Sequence, residues 1–121
     1  KTFYWIGCMH GGGGGYVYTA SSPEGPWTKH ATRSCYYDVG LLIDDDDTMY
    51  VAYGNTTLNV AQLSPDGFSQ VKSQVVFNSP SNIGALEGSR LYKINGNYYI
   101  FTTQYANGEY VLRSTTGPFG P

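Results

Sequence analysis

Two carboxylates are candidates for chemistry because each stands at the head of an apolar strand pattern. Glu87 follows a small-residue turn and precedes the segment that ends at Ile94. Asp38, 49 positions earlier, precedes the apolar run that ends at Ile43. An apolar setting penalises the charged form of a carboxylate, which suits that group to donate a proton as a general acid. The simpler alternative is a strand-end acid that faces water, the usual environment of Asp and Glu.

The segments that carry these acids belong to a repeat of about 49 residues. Shifting the chain by that period superimposes Asp38 on Glu87 and Tyr50 on Tyr99. Turn signals close corresponding strands at residues 22–25, 64–67 and 116–118. A period in the forties with about four short strands per unit is typical of β-propeller blades. Because no long segment has helical periodicity, the sequence predicts an all-β fold that forms part of a β-propeller.

The repeat divides the chain into about two and a half four-stranded blades. Residues 1–37 are predicted to end one blade, 38–80 to form a complete blade and 81–121 to form most of the next. Since propellers close with about four to eight blades, we expect one fragment of a single propeller domain, completed by the same or another chain. The run Gly11–Gly15 is interpreted as a replaced or unassigned loop, because consecutive glycines carry no packing information.

Composition argues against several classes of partner. A net charge of −2 without a basic patch disfavours nucleic acid. No apolar run approaches the roughly 18 residues of a membrane span, so no membrane partner is expected. The acidic run 44–47 lacks the Gly and terminal Glu of a calcium loop and is interpreted as a solvated hairpin turn. The sequence therefore predicts neither a metal nor a cofactor.

Three features bear on the compartment. Cys8 and Cys35 could form a disulfide in a secreted protein, although buried or free thiols are at least as well supported. Asn55-Thr56-Thr57 is an N-glycosylation acceptor pattern. Together with many Tyr, Ser, Thr and Asn residues and few lysines, it favours a secreted, extracellular protein.

The propeller arrangement predicts where the two acids meet. The first strand of each blade lines the central channel, so residues at one repeat position surround the axis at one depth. Asp38 and Glu87 should therefore converge at the channel mouth, flanked by Tyr36, Tyr37 and Tyr105. Two carboxylates with aromatic walls indicate carbohydrate chemistry, in which acids serve the glycosidic oxygen and rings pack on sugar faces. Solvated strand ends or a binding module are the alternatives.

The motifs at these positions resemble glycoside hydrolase family 43. The resemblance rests on Tyr37-Asp38-Val39-Gly40 before an apolar strand, and on Glu87-Gly88-Ser89-Arg90 before Leu91-Tyr92-Lys93. Members are five-bladed β-propellers that remove arabinofuranosyl or xylosyl units from hemicellulose with inversion of configuration. The residues of these two motifs are most similar to those of fungal members that act on arabinoxylan, and the resemblance covers the central blades only.

The resemblance implies an inverting glycosidase that releases α-L-arabinofuranosyl or β-xylosyl units during xylan degradation. Its partners would be hemicellulose oligo- or polysaccharides and the remainder of the propeller. The alternative is a non-catalytic, propeller-derived carbohydrate-binding or engineered scaffold fragment. The family's general base, an Asp of the first blade, matches no residue here, so the resemblance implies that this chain alone is inactive.

The family's roles carry over by position. Glu87 matches the general acid, and Asp38 matches the residue that orients this acid and keeps its pKa raised. The predicted substrate-binding residues are Tyr37, Arg90, His10 and Tyr105, of which Arg90 could equally form a structural ion pair. Trp27 is predicted to lie in the core between blades, and Trp5 in the core, with a stacking platform as the alternative for Trp5.

Overall fold

The computed structural model describes residues 1–9, 11 and 14–121. Within them the chain forms ten β-strands and no helix, which confirms the all-β prediction. The strands are β1 Phe3–Cys8, β2 Gly15–Ala20, β3 Thr28–Thr32, β4 Gly40–Ile43, β5 Met49–Tyr53, β6 Thr57–Leu63, β7 Gln70–Asn78, β8 Glu87–Ile94, β9 Asn97–Gln104 and β10 Gly108–Ser114. In the described part of the chain, no helix is long and apolar enough to cross a membrane.

The strands form three antiparallel sheets, each built from consecutive strands. The first sheet contains β1-β2-β3, the second β4-β5-β6-β7 and the third β8-β9-β10. Tight turns join neighbours, as at Asn95-Gly96, where both residues have positive φ and the Asn-Gly pair suits a two-residue hairpin loop. Consecutive short strands in separate packed sheets are the arrangement expected of propeller blades.

The second sheet has a core on each of its faces. Toward the first sheet, its buried residues include Val51 and Ala61, which pack with Tyr4 and Ile6 of β1. Toward the third sheet, Ala52 and Val60 pack with Leu91 and Ile100. The alternation of side chains along β5 and β6 produces both faces from adjacent residues. This explains why β5 is apolar or aromatic at every position.

A close backbone contact joins the inner strands of the second and third sheets. A Cβ atom at Gly40 would lie 2.4 Å from the carbonyl oxygen of Ser89 and 2.8 Å from the Cα of Arg90. Only glycine allows β4 and β8 to approach this closely, because any side chain would displace the backbone. Gly40 therefore sets the spacing between the segments that carry Asp38 and Glu87.

The prediction that both tryptophans are core residues is wrong for this chain. Trp5 is 56% exposed and Trp27 is 40% exposed. Trp5 packs edge-on against Tyr18 with ring centroids 5.3 Å apart, on the face of the first sheet opposite the core cluster. Among the described residues no other sheet covers this face, so the rings remain accessible.

Three expectations about local structure also need correction. Cys8 and Cys35 form a disulfide, so the expectation of unpaired thiols is wrong; the bond ties the end of β1 to the segment before Tyr36. Asp45, Asp46 and Asp47 are exposed, as a solvated hairpin turn predicts, but Asp44 is not, since its side chain is 8% exposed and pairs with Lys93 at 2.9 Å. Gly15 belongs to β2 rather than to a loop.

Candidate active site

Glu87 is the first residue of β8, where the strand departs from regular pairing. It pairs with Thr103, and the register then shifts before Arg90, a bulge in which Gly88 takes a φ of 73°. The Thr102 hydroxyl donates to the Glu87 carbonyl oxygen at 2.9 Å. Bulges commonly redirect a side chain near active sites, and here the bulge begins at the acid itself.

Two side chains donate hydrogen bonds to the same carboxylate oxygen of Glu87. The Tyr37 hydroxyl reaches Oε2 at 2.8 Å, and Nδ2 of Asn55 reaches Oε2 at 3.0 Å. The hydrogen bond to the Glu87 carboxylate is the main cause that raises the pKa of Tyr37, because deprotonation would remove the donor and place two negative charges together.

Asp38 lies beside this acid on the neighbouring segment. A Cβ atom at Gly88 would lie 3.6 Å from Oδ2 of Asp38, so the Asp38 carboxylate stands next to the residue that follows Glu87. Asp38 itself has a φ of 49°, in the left-handed region that few non-glycine residues adopt. Strained backbone of this kind is concentrated at functional sites.

Arg90 links the two acidic segments. Its guanidinium lies 3.8 Å from Oδ1 of Asp38 and donates to the carbonyl oxygens of Ser89 at 2.8 Å and Val39 at 3.3 Å. The ion pair is long and exposed on both sides. The structure thus contains the ion pair that the sequence offered as one alternative for Arg90, while its role toward substrate stays a prediction.

An open cavity of about 750 Å³ adjoins these residues. Its walls come from the end of β1 with the disulfide, from Tyr36 to Val39, and from Arg90. Tyr37 both lines the cavity and contacts Glu87, so this ring connects the open space to the acid. The size is in the range of small-ligand pockets, which bury a ligand between apolar walls and a few polar groups.

The remaining predicted residues are placed differently. Tyr105 is 80% exposed and does not line this cavity. His10 lies outside the described residues, as do Gly12 and Gly13 of the glycine run. Among the described residues there is no cluster of three His, Cys, Asp or Glu side chains that could hold a metal ion.

Sequence reasoning missed Asn55 as a site residue and treated it only as a glycosylation acceptor. A signal was present in the strand pairing. Gly40 pairs with Ala52, so continuing the hairpin past β4 and β5 brings Asn55 near Tyr37. The Gly54 N–H indeed donates to the Tyr37 carbonyl oxygen at 3.0 Å.

Comparisons with known proteins agree on one family. The model of glycosyl hydrolases family 43 matches residues 1–121. An arabinoxylan arabinofuranohydrolase of Paenibacillus polymyxa is 28% identical over 93% of this chain and 23% of its own length. A non-reducing end alpha-L-arabinofuranosidase of Bacteroides ovatus is 29% identical over 99% of this chain and 24% of its own.

A solved structure shows the same fold. It is an engineered GH43 glycoside hydrolase that displays both endo-xylanase and exo-arabinofuranosidase activity. The two structures superimpose with a TM-score of 0.83 at 51% sequence identity, over 98% of this chain and 25% of the other. The chain therefore spans about a quarter of the length of these relatives.

Proposed function

The chain belongs to glycosyl hydrolases family 43, and on that premise we propose that it is part of an inverting glycosidase that removes α-L-arabinofuranosyl units from arabinoxylan. The names of the relatives support arabinofuranosyl release. Release of β-xylosyl units from the same class of polymer is the alternative within this chemistry. We further propose that the enzyme is most similar to the fungal members of the family that act on arabinoxylan, as its motifs predict.

The observation that carries the proposal is the setting of Glu87. Its carboxylate sits at the head of an inner strand, beside a second carboxylate and behind an aromatic wall of the cavity. Hydrolysis of a glycosidic bond requires a carboxylic acid that protonates the leaving oxygen as the sugar becomes oxocarbenium-like. Glu87 is the proposed general acid, and Asp38 orients it from the neighbouring segment while Arg90 balances the charge of Asp38.

An inverting enzyme also needs a general base on the opposite face of the sugar. The two carboxyl groups of such a pair stand roughly 6.5–9.5 Å apart to admit the attacking water. Asp38 is assigned to orienting Glu87, so we propose that the base belongs to the remainder of a five-bladed propeller. The three sheets described above would be its consecutive blades, with boundaries at residues 37/38 and 80/81, and this chain alone would not turn over.

Substrate contacts are proposed from the walls of the cavity. Tyr37 presents its ring to the open space, and Arg90 presents donors beside Asp38. Tyr105, which follows β9, and His10, which lies outside the described residues, are assigned from the sequence only. The Cys8–Cys35 disulfide and the Asn55 acceptor pattern support a secreted enzyme, because disulfides persist in oxidising compartments.

Replacing Glu87 tests the proposal. In the complete enzyme, Glu87→Gln should lower kcat on arabinoxylan by about a hundredfold to ten-thousandfold, the usual contribution of a general acid, while oligosaccharide binding measured by calorimetry persists. Aryl glycosides should lose less activity, since a good leaving group needs less protonation. Glu24→Gln, in an exposed turn, is the matched control and should leave kcat unchanged. Undiminished turnover by Glu87→Gln would refute Glu87 as the general acid, whereas no turnover by the unaltered complete enzyme would leave the carbohydrate-binding or scaffold alternative.

A further inference from the structure

The two donors to the Glu87 carboxylate leave its oxygens unequal. Tyr37 and Asn55 both reach Oε2, and among the described residues no side chain or backbone group donates to Oε1. An oxygen that accepts two hydrogen bonds has both lone pairs engaged, so a proton on the neutral acid is favoured on the other oxygen. The arrangement thus distinguishes the oxygen that is held from the oxygen that is available.

Asn55 is held so that its amide nitrogen faces the acid. The Thr56 hydroxyl donates to Oδ1 of Asn55 at 2.8 Å, which directs Nδ2 toward Glu87. Backbone bonds on both sides fix the segment: Gly54 N–H donates to the Tyr37 carbonyl, and Thr56 N–H donates to the Leu86 carbonyl, each at 3.0 Å. Asn55 is therefore tied to the residue before Asp38 and to the residue before Glu87.

We propose that Asn55 is a positioning residue for Glu87, and that N-glycosylation of Asn55 and acid catalysis by Glu87 exclude one another. The Asn55 amide, with the Tyr37 hydroxyl, holds Oε2 as an acceptor and so places the transferable proton on Oε1. This inference rests on the proposed role of Glu87 as the general acid. It adds the group that decides which oxygen delivers the proton.

The exclusion follows from the acceptor pattern Asn55-Thr56-Thr57. Glycosylation forms a bond between Nδ2 and C1 of the first sugar, breaks the bond from C1 to a lipid-linked diphosphate, and releases the lipid diphosphate and one amide proton. Nδ2 of Asn55 lies 3.0 Å from Oε2 of Glu87. The first sugar would be bonded directly to Nδ2 and would therefore lie beside the Glu87 carboxylate. The glycan and the substrate would then compete for the space beside the carboxylate.

The positioning role is tested by Asn55→Ala in the complete enzyme. We expect kcat on arabinoxylan to fall about tenfold to a hundredfold, as for loss of a hydrogen bond to a charged group, with KM little changed. Because the lost donor favours the ionised carboxylate, the alkaline limb of the pH–rate profile should move to higher pH. Asn55→Asp should move it further, since a second carboxylate would face Glu87.

Asn59→Ala is the matched control, because Asn59 donates to the Thr57 carbonyl in the same hairpin without touching Glu87. It should lower stability without moving the alkaline limb. If Asn55→Ala leaves that limb in place, or if Asn59→Ala moves it equally, the positioning role is refuted. Glu87→Gln keeps the two questions apart, since its loss of turnover would uphold the proposed function even when Asn55→Ala has no effect.

The exclusion is tested by producing the complete enzyme in a glycosylating secretory host. Intact mass measures occupancy at Asn55, and a lectin column separates occupied from unoccupied molecules. We expect turnover only in the fraction with an unmodified amide and none in the fraction that the lectin column retains and intact mass shows to be occupied at Asn55. Thr57→Ala removes the acceptor pattern while keeping Asn55, and it should restore turnover to any fraction lost to glycosylation. Occupied molecules with full turnover would overturn the exclusion.

Discussion

Where β4 packs against β8, the two ends of the strands carry charged contacts of different strength. At the acid end, Arg90 approaches Asp38 at 3.8 Å, and both side chains are exposed. At the far end, Lys93 approaches Asp44 at 2.9 Å and Asp45 at 2.8 Å, and Asp44 is nearly buried. The Tyr98 hydroxyl also donates to Asp44. Both ends also contain two residues that the 49-residue repeat relates: Asp38 and Glu87 at the acid end, and Asp44 and Lys93 at the far end.

The pKa values of Asp44 and Lys93 at the far end reflect these close contacts. Burial alone would raise the pKa of Asp44, but hydrogen bonds from Tyr98 and Lys93 outweigh it, and the pKa is lowered. Hydrogen bonds to Asp45 and Asp44 raise the pKa of Lys93 well above its ordinary value. Charged groups that are already paired and hydrogen-bonded in this way stabilise the contact between the strands, and few of their donors and acceptors remain for a substrate. At the acid end, by contrast, no group of the described residues donates a hydrogen bond to Oε1 of Glu87.

The largest change in stability is expected at the far end. Asp44→Ala would remove the less exposed of the two carboxylates that pair with Lys93 and would leave the part-buried Tyr98 hydroxyl without its acceptor, so the free energy of unfolding should fall by about 3 kcal/mol. Asp45→Ala is the matched control, because Asp45 is 86% exposed and such pairs contribute less than about 1 kcal/mol. Urea denaturation of the complete enzyme measures both. Equal losses of unfolding free energy in the two variants would contradict the distinction between the nearly buried Asp44 and the exposed Asp45.

Gly40→Ala should affect both properties at once. The added methyl group would meet the Ser89 carbonyl oxygen, and overpacking of this kind costs about 2 kcal/mol. Because the same contact sets the spacing between Asp38 and Glu87, we also expect a loss of kcat larger than the loss of stability explains. Denaturation and turnover on one preparation measure this. A variant that is destabilised but fully active would show that the spacing does not matter for the acid.

The smallest expected effect is the pH dependence that Asp44 contributes. Its folded-state pKa is below the unfolded value of about 3.9. The stabilisation is therefore complete above the unfolded pKa and is lost as the pH falls through the folded pKa. The free energy of unfolding should decrease below about pH 4, and Asp44→Asn should make this decrease shallower. An unchanged acid limb in the variant would refute the contribution.

The sequence was informative where periodicity alone decides the outcome. Alternation and the 49-residue repeat predicted the all-β fold and equivalent positions for Asp38 and Glu87. In the structure Asp38 lies beside Gly88, the residue after Glu87. Periodicity does not show what covers a face, which is why Trp5 and Trp27 were assigned to a core that the described residues do not provide. The Cys8–Cys35 bond and the Asn55 contact depend on proximity between segments distant in sequence. Such proximity follows from the packing of sheets.

We propose that one end of the β4–β8 contact performs chemistry and the other stabilises the fold. The most direct test measures kcat on arabinoxylan and the free energy of unfolding for the same two variants, Glu87→Gln and Asp44→Ala. We expect Glu87→Gln to lose turnover by at least about a hundredfold with little loss of stability. Asp44→Ala should lose about 3 kcal/mol of stability and keep its turnover while folded. If Glu87→Gln were mainly unstable, or Asp44→Ala stable but inactive, the assignment of the two ends would be wrong.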